Sequence, residues 1–194
     1  MSCGLNSEVS KESFNRIFCW YGALGRAYSY LMVQKHLRER FESIDNDCKY
    51  SIAGRPGYSH VSLTACSALT DSAVVLFCQI FSSGYEGNGT ARNRGNAEVD
   101  GFRDEMEQYA RTKLRWSREN YLRFLAYIEG VRNSFVAHYD GDKADYQEPA
   151  PGITSMKSVG SNLMPKDTQK LTKLVGVMYE FISMRLLSLS EEVS

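Results

Sequence analysis

The chain has few residues of the kinds that keep a polypeptide unfolded, and it has no excess of charge of either sign. It contains only 4 prolines in 194 residues, and its 23 basic side chains equal its 23 acidic ones. A hydrophobic fraction of 43% with 24% charged residues excludes disordered, collagen-like and low-complexity chains. Because the formal net charge is zero, any surface that attracts nucleic acid or a membrane must be local.

Long apolar runs and targeting signals are also missing. The longest uninterrupted apolar stretch, residues 73–78, is far shorter than the roughly 18 residues that a membrane-spanning helix requires. Residues 1–13 contain no basic region followed by an apolar run, so the sequence predicts a cytoplasmic protein without a secretory signal. Domains cluster near ~100 to 150 residues, and we therefore expect a single domain over residues 1–194.

Cysteine and histidine do not occur in patterns that bind metal. The 5 cysteines are odd in number and form no C-x-x-C pair, so a disulfide scaffold is not expected. The 3 histidines are scattered, and none stands in an H-x-x-x-H spacing. We therefore expect no metal site and no cofactor.

Apolar residues recur at helical spacing in five segments. The first is predicted over residues 11–42. The second, residues 61–81, has Asp71 as its only charged residue and is too long for a strand of 3 to 10 residues. Further segments carry apolar residues over 102–116, 122–136 and 171–186. The pattern predicts an all-α bundle of about five helices with long connecting loops.

Glycines mark several details of this bundle. Gly22 and Gly25 lie inside the first helix, where each costs about 1 kcal/mol relative to alanine, so we expect a kink or a close helix contact there. Because no Gly or Pro separates the third segment from the fourth before Gly130, they are either two helices or one bent helix. The Gly-rich stretch 82–97 is predicted to be a mobile loop, and it lacks the G-K-[ST] ending of a P-loop.

The most informative stretch for function is residues 131–140, near the end of the fourth helix, which read VRNSFVAHYD. This stretch resembles the catalytic motif of the HEPN superfamily, a group of all-helical proteins of prokaryotic defence and toxin systems, and it is most similar to the abortive-infection type. The family pattern is an Arg, usually followed by a polar residue, with a His after a short spacer. Arg132, Asn133 and His138 match this pattern. Outside helices two to four the resemblance is only one of architecture.

The resemblance implies a metal-independent endoribonuclease of a toxin or phage-defence type, acting on RNA as a homodimer, with an antitoxin or another defence protein as a partner. Catalytic roles would fall to Arg132, His138 and Asn133. Histidine suits proton transfer near neutral pH, and the guanidinium fork of arginine matches phosphate oxygens. Asp140 stands where some HEPN toxins carry a tyrosine that a partner nucleotidyltransferase modifies, so that mode of control is not expected.

Helix geometry constrains the motif independently of any family. Residues i and i+6 of an α-helix differ by about 120° around its axis and by about 9 Å along it. Arg132 and His138 therefore do not share one face. The two side chains can serve one small scissile group only if the helix ends before His138, or if a second copy supplies its own pair across a two-fold axis.

Neighbouring charges are candidates for supporting roles. Asp71 is expected to be satisfied by nearby hydroxyls or an arginine, or else to orient Arg132 or His138, and Asp140 is a second supporting carboxylate. Between Arg111 and Arg132 basic residues outnumber acidic ones. The candidate RNA-binding residues are Arg111, Lys113, Arg115, Arg118 and Arg123.

A non-catalytic protein is the competing hypothesis. The same basic residues would then form a solvated helix face, with Glu119 pairing with Arg115 or Arg123. Arg132 and His138 would interact with the carbonyl groups at a helix C-terminus, which favours cations. The chain would then be a helical dimerisation or partner-binding module.

Overall fold

The computed structural model describes residues 10–42, 58–81, 97–139 and 163–192, and it describes side chains over 10–40, 65–81, 97–133 and 163–188. Five helices form in these residues, namely α1 (Lys11–Glu42), α2 (Tyr58–Phe81), α3 (Ala97–Leu114), α4 (Arg118–Tyr139) and α5 (Pro165–Glu192). The described ranges contain no strand, and the predicted all-α bundle is confirmed. The first helix has the predicted bounds, and the second begins three residues earlier than predicted. The loop predicted between residues 82 and 97 lies outside the described residues, apart from Ala97 at the start of α3.

Helix α1 is the centre of the bundle. It packs most extensively against α2, and its other neighbours are α5 and the start of α3, while α3 also packs on α5 and α2 on α4. All five helices contribute to one buried core, which includes Leu24, Phe77, Met106, Ile128 and Met178. None of the helices in the described ranges is long and apolar enough to cross a membrane.

The start of α1 is tied to the start of α3. The Ser10 hydroxyl accepts a hydrogen bond from the Ser13 backbone N–H at 3.2 Å, which caps α1. The same hydroxyl and the Ser10 backbone N–H donate to the Glu98 carboxylate at 3.0 and 3.2 Å. Hydrogen bonds from Ser13 and then from Ser10 lower the pKa of Glu98. One carboxylate thus joins two helix N-termini, where negative charge is favourable.

The third and fourth helical segments are two separate helices rather than one bent helix. Arg115 has a positive φ of 56°, the left-handed conformation that ends many helices. Its backbone N–H donates to the Thr112 carbonyl at 3.3 Å, and the next N–H, of Trp116, donates to the Arg111 carbonyl at 2.9 Å. Ser117 then caps α4, because its hydroxyl accepts a bond from the Asn120 N–H at 3.2 Å. The break therefore occurs without Gly or Pro.

Two glycines bring α1 and α5 into close contact. A Cβ added at Gly25 would lie 3.0 Å from Cε2 of Tyr179, and one added at Gly176 would lie 2.9 Å from Cε2 of Tyr28. The close contact expected at Gly25 is confirmed. At Gly22 an added Cβ would meet nothing within 4 Å, so this glycine marks no close helix contact, and the alternative of a kink there stays a prediction.

Candidate functional site

Helix α4 continues through the motif without a break. It runs from Arg118 to Tyr139 and so includes the backbone of His138, whose side chain lies outside the described part, as does the whole of Asp140. The helix does not end before His138. Arg132 and His138 of one chain therefore remain about 120° apart around the axis and about 9 Å apart along it. A helix that ends before His138, the first of the two arrangements that would let both side chains serve one scissile group, is therefore not what the structure shows. The arrangement that needs a second copy remains.

The structure brings Arg132 and Asn133 together. Nε and Nη2 of the half-buried Arg132 guanidinium both donate to Oδ1 of the exposed Asn133, at 3.1 and 2.8 Å. A guanidinium has five N–H donors, so this contact orients the group and leaves other donors for a phosphate. The Asn133 amide nitrogen is a further donor beside them. The pair can hold an anionic oxygen at the surface of α4.

Cys78 of α2 lies beneath this part of α4. Its Sγ is 4.0 Å from the Ile128 carbonyl oxygen. Burial raises the pKa of the Cys78 thiol to about 12, although the positive charge of Arg132 lowers it and the Glu129 carboxylate raises it further. A thiol that stays protonated at neutral pH is not a nucleophile, so Cys78 serves in packing.

Asp71 is half-buried on α2, seven residues before Cys78 and hence about 10 Å away along the helix. The residue that orients the Arg132 guanidinium is Asn133. A supporting role for Asp71 or Asp140 at the motif stays a prediction.

Three of the five candidate RNA-binding residues have carboxylate partners. Arg111 lies 3.3 Å from Glu107, Lys113 lies 3.6 Å from Glu180, and Arg123 lies 2.5 Å from Glu119. The last pair is one of the two that the sequence suggested for a solvated helix face. Two of these carboxylates belong to residues outside the stretch 111–132, so its local excess of positive charge is smaller than the sequence indicates.

The basic residues are also spread around α4. Arg123 precedes Arg132 by nine residues and points about 180° away from it, and Arg118 lies about 21 Å from Arg132 along the axis. The geometry does not join these two side chains to the motif as one patch. Their RNA-binding role remains a prediction, as it does for Arg111, Lys113 and Arg115.

The apolar side of α4 is mostly used within the chain itself. Tyr121, Phe124, Ile128 and Val131 belong to the buried core. Among the α4 side chains that the structure describes, two large apolar ones are exposed, Leu122 at 47% and Tyr127 at 39% of their surface. Both are available to a partner.

Sequence reasoning missed a second feature, a groove of about 1060 Å³ between α1 and α5. Tyr28, Arg38, Lys173 and Tyr179 are among its lining residues, and none of the α4 side chains that the structure describes lines it. Only the interior glycines hinted at it, because they signal a close contact between helices. Tyr28 and Tyr179 come together only when the two helices align.

No protein-family model, no curated protein and no solved structure matches the chain. Among the described residues, no group of three or more His, Cys, Asp and Glu side chains is placed to hold a metal ion.

Proposed function

We propose that the chain is a metal-independent endoribonuclease of the HEPN type, with an active site that forms between two copies. The observation that carries this proposal is the unbroken course of α4 through Arg132 and His138. A single helix presents the two side chains about 120° apart, whereas a two-fold axis beside α4 pairs the motif of one copy with that of the other. The oriented Arg132 and Asn133 pair supports the proposal, since it has donors left for phosphate oxygens.

The chemistry assigns one task to each side chain. His138 takes the proton of the 2′-OH, or returns one to the leaving 5′-oxygen, and the second copy's histidine performs the other step. Arg132 stabilises the extra negative charge on the phosphorane. Asn133 holds Arg132 in place and offers its amide to a phosphate or ribose oxygen. The attacking group is the substrate's own hydroxyl, so the reaction needs no metal-bound water.

Purified protein incubated with total RNA in EDTA tests the reaction directly. Cleavage should persist in the chelator, leave 2′,3′-cyclic phosphate ends and spare DNA of the same sequence, because DNA lacks the attacking 2′-OH. Products with 5′-phosphate ends would contradict the proposed attack. Activity that disappears in EDTA and returns with added Mg²⁺ would contradict it as well.

The composite site requires dimers. Analytical ultracentrifugation at tens of micromolar should give a species of about twice the 22.0 kDa chain mass. Replacing the exposed Leu122 and Tyr127 by Ser should weaken that dimer if α4 lies at the axis. An active protein that sediments as a monomer would overturn the composite site.

The second candidate is a non-catalytic dimerisation or partner-binding module. The ion pairs of Arg111, Lys113 and Arg123 favour it, because paired cations offer less to a phosphate backbone. This candidate expects no RNA cleavage under any buffer condition. It also expects substitution of His138 to change stability or assembly alone.

A further inference from the structure

The groove between α1 and α5 has an aromatic end. The two helices run antiparallel there, since Gly25 faces Tyr179 and Tyr28 faces Gly176. The Tyr179 ring stacks between those of Tyr21 and Tyr28, with centroids at 5.0 and 6.4 Å, and its hydroxyl donates to that of Tyr21 at 3.0 Å. Tyr28 and Tyr179 both line the groove. The stack holds these rings rigidly, as a platform for another planar group.

The lining of the groove also carries three cations and two carboxylates. Lys35 and Arg38 come from α1 and Lys173 from α5. Lys35 lies 3.7 Å from Glu39, but no carboxylate lies within ion-pair distance of Arg38 or Lys173 in the part of the chain that the structure describes. The other acidic lining residue, Glu180, is occupied by Lys113 and by the Tyr109 hydroxyl, which donates to it at 3.1 Å. Two cations are thus left to attract an anion.

The antiparallel register orders these groups along the groove. Arg38 follows Tyr28 by ten residues, which places it about 15 Å further along α1. The register that pairs Tyr28 with Gly176 brings Arg38 level with Lys166, the second residue of α5. The N-terminal end of a helix adds a partial positive charge. Lys173 lies between the two ends, three residues before Gly176.

We propose that this groove binds a nucleoside di- or triphosphate, with the base on Tyr28 and the phosphates along Lys173 and Arg38 toward the start of α5. An apolar ligand would bury the cations without a partner. A phosphate ion alone would leave the aromatic end unused. The volume of about 1060 Å³ is near the upper end of small-ligand sites, which fits a ligand with an extended charged tail. The site shares no residue with the α4 motif, so it does not depend on the ribonuclease proposal.

Titration calorimetry with ATP as the probe tests the site on the full chain. Arg38→Gln and Lys173→Gln should each weaken ATP binding by about tenfold, since each removes charge-assisted hydrogen bonds. Arg26→Gln is the matched control, because Arg26 is an exposed cation of the same helix outside the groove lining, and it should bind ATP unchanged. Thermal melts of all three variants establish that they are folded.

Further binding measurements test each end of the groove. Tyr28→Leu should weaken ATP by about tenfold, in line with the loss of one base stacking contact, and should leave weak binding of inorganic triphosphate unchanged. AMP should bind more weakly than ATP. No ATP binding at millimolar concentration, or binding that Arg38→Gln and Lys173→Gln leave intact, would overturn the proposal. His138→Ala should keep full ATP binding, so a failed ribonuclease proposal would not be mistaken for a failure of this one.

Discussion

The contacts of α1 with α5 and of α2 with α4 divide the molecule into two regions of different character. In the first, Gly25 and Gly176 let tyrosine rings approach the opposite backbone within about van der Waals distance. In the second, α4 buries most of its described apolar side chains and leaves Arg132 and Asn133 at least partly exposed. Substitutions in the first region should therefore change stability, whereas substitutions at the motif should change activity and leave the fold intact.

The largest expected effect is that of His138→Ala on RNA cleavage. Loss of a general acid or base typically lowers the rate by ~10² to 10⁴. Arg132→Lys should also lower the rate, because lysine keeps the charge but loses the planar fork that both Asn133 and a phosphate use. Cleavage of a labelled RNA and thermal unfolding should be measured on the same preparations.

Asn120→Ala is a suitable control for these motif variants, because Asn120 is an exposed residue in the first turn of the same helix, far from the motif. Its cleavage rate should equal that of the original chain. A fully active His138→Ala would end the catalytic assignment. A melting temperature that falls sharply in His138→Ala, with no cleavage in any variant, would instead favour the non-catalytic module.

Two alanine substitutions, one in α5 and one in α1, should change the free energy of unfolding in opposite directions. Gly176→Ala places a Cβ 2.9 Å from the Tyr28 ring, which is itself stacked on Tyr179 and cannot easily move. Overpacking of this kind typically costs about 1–3 kcal/mol, of which the better helix propensity of alanine offsets up to about 1 kcal/mol. Gly22→Ala meets open space and should stabilise by about 0.5–1 kcal/mol.

Urea unfolding at 25 °C measures both variants against the original chain. Equal and stabilising effects of the two substitutions would show that the α1 and α5 contact accommodates a methyl group. The contact between α1 and α5 would then be less rigid than the stacked tyrosine rings indicate. The ATP-binding measurement on Gly176→Ala adds a second readout, since a displaced Tyr28 ring should also weaken stacking.

Sequence periodicity predicted the helices well, because one buried face repeats every 3.6 residues. The bounds of α1 were predicted correctly, although Phe14, Phe18 and Met32 of its apolar stripe are exposed. The break between α3 and α4 was left open, because Arg115 adopts a conformation that usually selects glycine. Ser117 is a common capping residue, and its position could have indicated the start of α4.

The two candidate sites also differ in how far the sequence alone indicates them. Arg132 and His138 form a local pattern that can be read along one helix, so the sequence alone suggests chemistry there. The α1 and α5 groove combines Tyr28 with Tyr179, and no local pattern links residues so far apart in the chain. Only the antiparallel register of the two helices brings them together.

Arg115→Gly tests the turn between α3 and α4. Left-handed backbone costs a non-glycine residue about 1–2 kcal/mol, and glycine recovers most of this while losing more entropy on folding. We expect a net gain of about 0.5–1 kcal/mol in the free energy of unfolding. Arg115→Ala is the control, since it removes the same charge but keeps the Cβ, and it should give no gain. Equal effects of both substitutions would attribute any change to charge rather than to backbone conformation.

The smallest expected effect concerns Glu98, which joins the starts of α1 and α3 at the surface. Its pKa is lowered in the folded chain by the Ser13 and Ser10 hydrogen bonds, so the ionised carboxylate stabilises the fold at neutral pH. That contribution should disappear as the pH falls through the lowered pKa. The melting temperature of Glu98→Gln should therefore lie slightly below that of the original chain at pH 7, and the two should converge in acid, once Glu98 is protonated in the folded chain. Ser10→Ala, alone and combined with Glu98→Gln, supplies a double-mutant cycle, and additive effects at pH 7 would show that the bond between the two helix starts contributes nothing.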